Sequence, residues 1–135
     1  MFDDEINLDR FAFKCLVKAV CEYFKIQPEQ LLGKSRINEF VKPRHILFYM
    51  GYIYTGYSLP QIARKCDRDH TTVLYAYKKI AAERMIKEDV SLAISQIHLI
   101  AVVEEKKRIE GVKQQKIEVQ KMIDSIGGKH GLRTA

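Results

Sequence analysis

The chain has 135 residues, 47% of them hydrophobic, and its 23 Lys and Arg outnumber 17 Asp and Glu for a net charge of +6. That is enough for one domain with a core and some spare length, and it is too apolar for an intrinsically unfolded chain. Three cysteines in no ligand or disulfide pattern, an acidic start without a secretory apolar core, and no apolar run of membrane-spanning length predict a cytoplasmic protein with free thiols, no metal, no cofactor and no membrane association.

In chain order, Phe13, Leu16, Val17, Val20 and Phe24 recur at helical spacing and predict an amphipathic helix over residues 9–24. Pro28-Glu29-Gln30-Leu31-Leu32 reads as a short helix opened by proline, with Gly33 as its C-terminal cap. Lys34-Ser35-Arg36-Ile37-Asn38 is a polar, basic loop. The next helix is expected to start near Lys42, with Pro43 in its first turn, a buried stripe of Ile46, Leu47, Met50, Ile53 and Tyr54, and Gly56 at its end. Ser58 and Gln61 form a capping box for a further helix that ends near Cys66. Asp67-Arg68 is a tight turn, and Asp69 is the N-cap of a helix that packs through Val73, Leu74, Tyr77 and Ile80.

From Lys87 onward, Leu92, Ile94, Ile97, Ile100 and Ala101 predict a helix that closes the domain. Ile109, Val112, Lys116, Val119, Ile123 and Ile126 then step by 3 and 4, a short heptad seam with one lysine in it. Gly127-Gly128 is expected to end this helix. The whole reads as all-α: a multi-helix domain containing a helix-turn-helix, with a C-terminal helical extension. The expected organisation is a leader over residues 1–8, a helix-turn-helix domain over 9–100, an extension with a short coiled-coil seam over 101–126, and a flexible basic tail over 127–135.

Gly33-Lys34-Ser35-Arg36, Pro43-Arg44, Ser58-Leu59-Pro60-Gln61-Ile62 and Arg68-Asp69-His70-Thr71-Thr72-Val73-Leu74, with Lys79-Ile80 beyond, fall in one order and spacing. In this the chain resembles the C-terminal DNA-binding domain (domain IV) of the bacterial chromosomal replication initiator DnaA, over roughly residues 9–100. The resemblance implies binding of short, A·T-rich boxes in double-stranded DNA. It places Arg68, Asp69, His70, Thr71 and Thr72 in the major groove, Arg36 in the minor groove, and Lys34, Ser35, Arg44, Ser58 and Lys79 at phosphates. Two departures stand out. The family commonly has an aromatic-Gly-Gly turn before its Arg-Asp-His, where this chain has the shorter Cys66-Asp67; Asn38 replaces what is often a basic residue.

Each of these residues also has a plainer reading. Asp69 is explained by capping alone, Arg36 and Lys34 by an ordinary solvated loop, and Lys78 and Lys79 by a solvated helix face. Threonine adds a hydroxyl for phosphate or base and a methyl for the thymine methyl, and a narrow A·T minor groove suits an inserted guanidinium. Gly33-Lys34-Ser35 lacks the first glycine and the preceding strand of a phosphate-binding loop, so neither nucleotide binding nor ATPase activity is expected. The function expected is sequence-specific recognition of DnaA-box-like sites by a non-enzymatic, nucleoid-associated regulator of replication or transcription. The alternative is a protein-interaction adaptor. Residues 101–126 would serve it as a homodimer seam or as a surface for a helical partner.

Overall fold

The computed structural model describes the backbone of residues 10–134 and the side chains of residues 10–126. Among the described residues there are six helices and no strand. They are α1 (Phe13–Phe24), α2 (Pro28–Leu32), α3 (Asn38–Tyr54), α4 (Leu59–Lys65), α5 (His70–Ile86) and α6 (Glu88–Thr134). The chain divides into two units, one ending at Glu105 and one starting at Lys106. The leader expected over residues 1–8 lies outside the described residues.

The first unit is built around α3. Pro43, Arg44 and every residue from Ile46 to Gly51 are buried, so this helix has almost no solvent face over its middle. A helix apolar on most sides must be covered on most sides. Here α1, α2, α4 and α5 all pack against it. A Cβ on Gly51 would sit 3.1 Å from the Phe13 ring and 3.2 Å from Ile62 Cδ1, so glycine allows α1 and α4 to close over the same point of α3.

Local structure departs from the sequence expectation at several places. The first helix begins at Phe13, because the Phe11 N–H donates to the Tyr54 carbonyl at 3.0 Å and the two rings stack at 5.4 Å. A residue bonded to a distant carbonyl in this way is held in extended backbone. The third helix begins four residues earlier than expected, at Asn38, and Pro43 lies inside it. The proline removes only the single bond to the carbonyl of exposed Glu39, and its ring is buried. Ile53 is exposed and so leaves the expected buried stripe, while Thr55 caps the helix and Gly56 turns the chain with φ +83°.

In the first unit α6 buries Val90, Ala93, Ile94, Ile97 and Ala101. Leu92, expected inside, is exposed because it lies about 200° around the helix from Val90. Glu105 then caps α1 from 93 residues away: its Oε1 accepts the Ala12 N–H at 3.1 Å and lies 3.5 Å from the Cys15 sulfur. That carboxylate meets the positive end of a helix that has no side-chain cap and no acid in its own first turn. Glu104 pairs with Lys18 at 3.0 Å. Beyond Lys106 the helix continues through Gly127-Gly128 to Thr134, past the expected stop. Glycine lowers helix propensity by about 1 kcal/mol per residue, which an otherwise helical run can absorb.

Removing a buried acceptor leaves its donor unsatisfied, so Glu105→Ala is expected to lower stability by about 1–3 kcal/mol, and Glu105→Gln, which keeps an oxygen, by less. Urea denaturation followed by circular dichroism measures the difference.

Candidate nucleic-acid interface

Helices α4 and α5 are joined by a turn, and hydrogen bonds close α4 at both its ends. Ser58 Oγ accepts the Gln61 N–H at 3.2 Å and Gln61 Oε1 accepts the Ser58 N–H at 2.8 Å, so the capping box forms as the sequence predicts. At the other end of α4 the Arg68 N–H donates to the Ala63 carbonyl at 2.8 Å and the Asp67 N–H to the Arg64 carbonyl at 3.3 Å. This pair of bonds is a Schellman stop, with Asp67 in its left-handed position at φ 53°. Aspartate tolerates that region better than most side chains.

Asp69 stands at the N-cap of α5 with extended backbone, but its carboxylate accepts no backbone N–H. Oδ2 instead accepts the Thr71 hydroxyl at 2.6 Å. The expected capping bond is therefore absent. The Thr72 N–H donates to the Asp69 carbonyl at 3.0 Å, which leaves the His70 and Thr71 amides as the donors that an anion could meet. His70, Thr71 and Thr72 are exposed on that turn, while Val73, Ala76 and Ile80 face the core. One turn further on, Tyr75 is 60% exposed and continues the line of Thr71. Its place four residues after Thr71 puts it on the same helical face, a relation visible in the sequence.

The basic loop between α2 and α3 is held from both sides. Arg44, expected at phosphate, is only 6% exposed. Its Nε donates to the Leu31 carbonyl at 2.7 Å, Nη1 to Ser35 at 2.8 Å and Nη2 to Gln30 at 3.0 Å. Burial, and then the neighbouring Arg68 charge, pull its pKa below the ordinary guanidinium value. Arg44 is thus a structural residue, because its guanidinium is engaged inside the fold by carbonyls that α2 leaves open at its end.

Arg68, expected at base edges, donates from Nη1 to its own turn at the Cys66 carbonyl, 3.0 Å, and from Nη2 to the Leu32 and Gly33 carbonyls across the gap. Lys34 reaches back to the Asp67 carbonyl and lies 3.4 Å from the Asp67 carboxylate. Gly33 is extended rather than left-handed, and a Cβ there would lie 2.6 Å from the Glu29 carbonyl oxygen; its smallness, not its flexibility, is what the site uses. Ser35 Oγ accepts the Ile37 N–H at 3.2 Å. Arg36 is exposed, and no hydrogen bond or ion pair among the described residues holds it.

Lys79 is exposed on α5 and pairs with Glu83 at 3.0 Å, a hydrogen bond that raises the lysine pKa. The structure therefore brings residues 33–35 against residues 66–68, with His70 to Thr72 and Arg36 left open on either side. No three His, Cys, Asp or Glu among the described residues could together hold a metal ion, and no described helix is long and apolar enough to cross a membrane.

A short helix and a longer one joined by a tight turn, with the polar first turn of the second presented outward beside a basic loop, define a helix-turn-helix DNA-binding domain. Residues 14–80 match the family model of the bacterial DnaA protein helix-turn-helix, and the domain belongs to that family. Among its relatives, the chromosomal replication initiator protein DnaA of Caldanaerobacter subterraneus subsp. tengcongensis is 39% identical over 98 residues, 73% of this chain and 20% of the relative. The DnaA proteins of Lacticaseibacillus casei and Bartonella quintana are 34% identical over 86 residues and 36% over 85, covering 63% and 62% of this chain and 19% and 17% of the relatives. The chain thus spans about a fifth of the length of the relatives it matches.

His45 lies beside a depression of about 300 Å³ shared with Lys42, Lys79 and Glu83. Burial first, then Lys79 and Arg44, lower its pKa from the ordinary 6.5, with Glu83 opposing. The fold favours the neutral ring, so this stabilisation is complete above the unfolded value and is lost as pH falls through the lower folded one. Thermal stability is expected to fall between about pH 7 and about pH 5, and the fall is expected to be smaller in His45→Gln. Melting temperatures of both proteins across that range test it.

Proposed function

We propose that this domain reads short, A·T-rich DnaA-box-like sites in double-stranded DNA and acts as a non-enzymatic, nucleoid-associated regulator of replication or transcription. The observation that supports this most is the first turn of α5. His70, Thr71 and Thr72 are exposed there together, their helix N-terminus has no side-chain cap, and exposed Arg36 stands on the neighbouring loop. In this reading the first turn enters the major groove, with His70 and Thr71 at base edges and Thr72 and the N-terminal amides at phosphate. Asp69 reaches a cytosine amino group or orients Thr71. Arg36 enters the adjacent minor groove, where the potential is most negative over A·T pairs. Ser58, at the start of α4, and Lys79 meet the backbone, and Tyr75 offers its ring to a thymine methyl.

The absence of ATPase activity is supported by Gly33-Lys34-Ser35 itself. The segment joins two helices and its lysine is turned onto Asp67, which is unlike a phosphate-binding loop. A second element of the proposal concerns the unit from Lys106 onward. There Val112, Val119, Ile123 and Ile126 are exposed along one helical seam, with Lys116 between them. A second copy of the chain is the partner we favour, in antiparallel pairing. Parallel pairing would set Lys116 on its own copy, whereas antiparallel pairing sets it against Val119.

Gel shifts with box and scrambled duplexes test the DNA reading. His70→Ala and Thr71→Ala are expected to narrow the specific-to-scrambled ratio, by less than the roughly 1–3 kcal/mol of a bidentate base contact. Arg36→Ala is expected to narrow it at A·T positions while also weakening all binding. Lys79→Ala is expected to leave the ratio unchanged and to flatten the salt dependence by about one unit of slope. Equal affinity of the parent for both duplexes would sink the proposal. For the extension, analytical ultracentrifugation is expected to show concentration-dependent dimers that Ile123→Lys abolishes; identical monomer masses at high concentration would exclude self-pairing.

A further inference from the structure

We infer that Arg68, Lys34 and Asp67 form a strut that fixes the separation between the loop carrying Arg36 and the first turn of α5, making them positioning residues for DNA readout rather than DNA contacts. The inference rests on the reading above that Arg36 and the first turn of α5 occupy neighbouring grooves.

Arg36 and His70 lie on segments far apart in sequence, and the packing of α3 on α5 sets only the helices, not the loop before α3. The strut consists of side chains crossing in opposite directions. From the turn, Arg68 donates to the carbonyls of Leu32 and Gly33 while keeping one hand on Cys66 of its own segment. From the loop, Lys34 meets both the carbonyl and the carboxylate of Asp67. Arg44 closes the far side through Gln30, Leu31 and Ser35. Two guanidiniums thus hold the carbonyls of residues 30 to 33 and of residue 35. The loop is fixed by side chains to the turn from which α5 begins. A loop held in this way loses little freedom on binding, and groups ordered beforehand are not ordered at the expense of affinity.

Asp67 makes the inference testable by sign. A carboxylate beside the start of α5 repels phosphate, so taken alone it weakens DNA binding. Its use in the strut is to hold Lys34 next to a backbone conformation that asparagine also adopts. Removing its charge should therefore tighten all binding if electrostatics alone operates, and should blur sequence discrimination if the strut operates.

The experiment is a double-mutant cycle in the full chain, read as the affinity ratio between a DnaA-box duplex and the same duplex with G·C substituted at the minor-groove positions. Asp67→Asn and Lys34→Gln are each expected to lower that ratio about two- to fivefold, the range of an exposed ion pair. The double variant is expected to lose no more than Lys34→Gln alone, because that change already removes the ion pair that Asp67→Asn breaks. Lys34→Arg, which keeps charge and reach, is expected to restore the ratio. Arg68→Lys keeps the charge but cannot span three carbonyls. It is expected to lower the ratio about tenfold with the salt slope unchanged, as hydrogen bonds to a charged group are lost. Thermal melts confirm that each variant is folded, and if Arg68→Lys melts early the Lys34–Asp67 cycle decides. Tighter binding of Asp67→Asn to every duplex at an unchanged ratio, with additive losses in the cycle, would overturn the strut. Failure of the parent to discriminate any box would instead overturn the functional reading beneath it.

Discussion

The buried guanidinium of Arg44 is the constraint around which the domain is arranged. It lies on α3, the helix that every other short helix covers, and it must find acceptors inside a fold that offers few. The open carbonyls at the end of α2 supply them. One interaction thereby answers two needs: a charge taken from water is satisfied, and a five-residue helix too short to be stable alone is given a defined end. The course of the following loop, and so the place where Arg36 leaves the surface, follows from that contact.

The helix-turn-helix itself shows how little chain is needed when both ends of an element are specified. α4 has seven residues, yet its start is closed by the Ser58–Gln61 box and its end by a Schellman stop, with Ile62 and Ala63 buried in the core and Leu59 packed against it. α5 is treated in the opposite way. Its N-cap carboxylate is turned aside to Thr71, so the His70 and Thr71 amides stay open while the Thr72 N–H is held by the Asp69 carbonyl. A helix start closed by its own side chains next to one left partly open is what an anion-reading surface requires, since donors already bonded within the fold cannot meet phosphate.

The last helix contributes to the first unit in a manner local sequence rules do not anticipate. Glu105 places a carboxylate at the beginning of α1, and Glu104 meets Lys18 on the same helix. Removing water from a carboxylate is costly unless donors replace it, and the helix start provides them. The two acids thus tie the end of the unit to its beginning, and the unit closes where the apolar stripe of α6 gives way to charge.

The sequence by itself determined whatever depends on neighbours three or four residues away. The all-helical class, the Ser58–Gln61 box, the turn at Asp67-Arg68 and the outward placement of His70, Thr71 and Thr72 were all legible, because helical period and capping act over one turn. Only the tertiary structure decided the rest. It moved the start of α1 to Phe13 through a bond to Tyr54, and kept Pro43 inside α3. It turned Leu92 and Ile53 outward and carried α6 through Gly127-Gly128. Above all it divided the arginines and lysines by role: Arg44 and Arg68 are bound to carbonyls and Lys34 to Asp67, while Arg36 is left open. In the sequence these residues are alike, because a guanidinium or an ammonium carries the same charge wherever it stands. What separates them is the distance to acceptors on segments far away in the chain, and that distance exists only after folding.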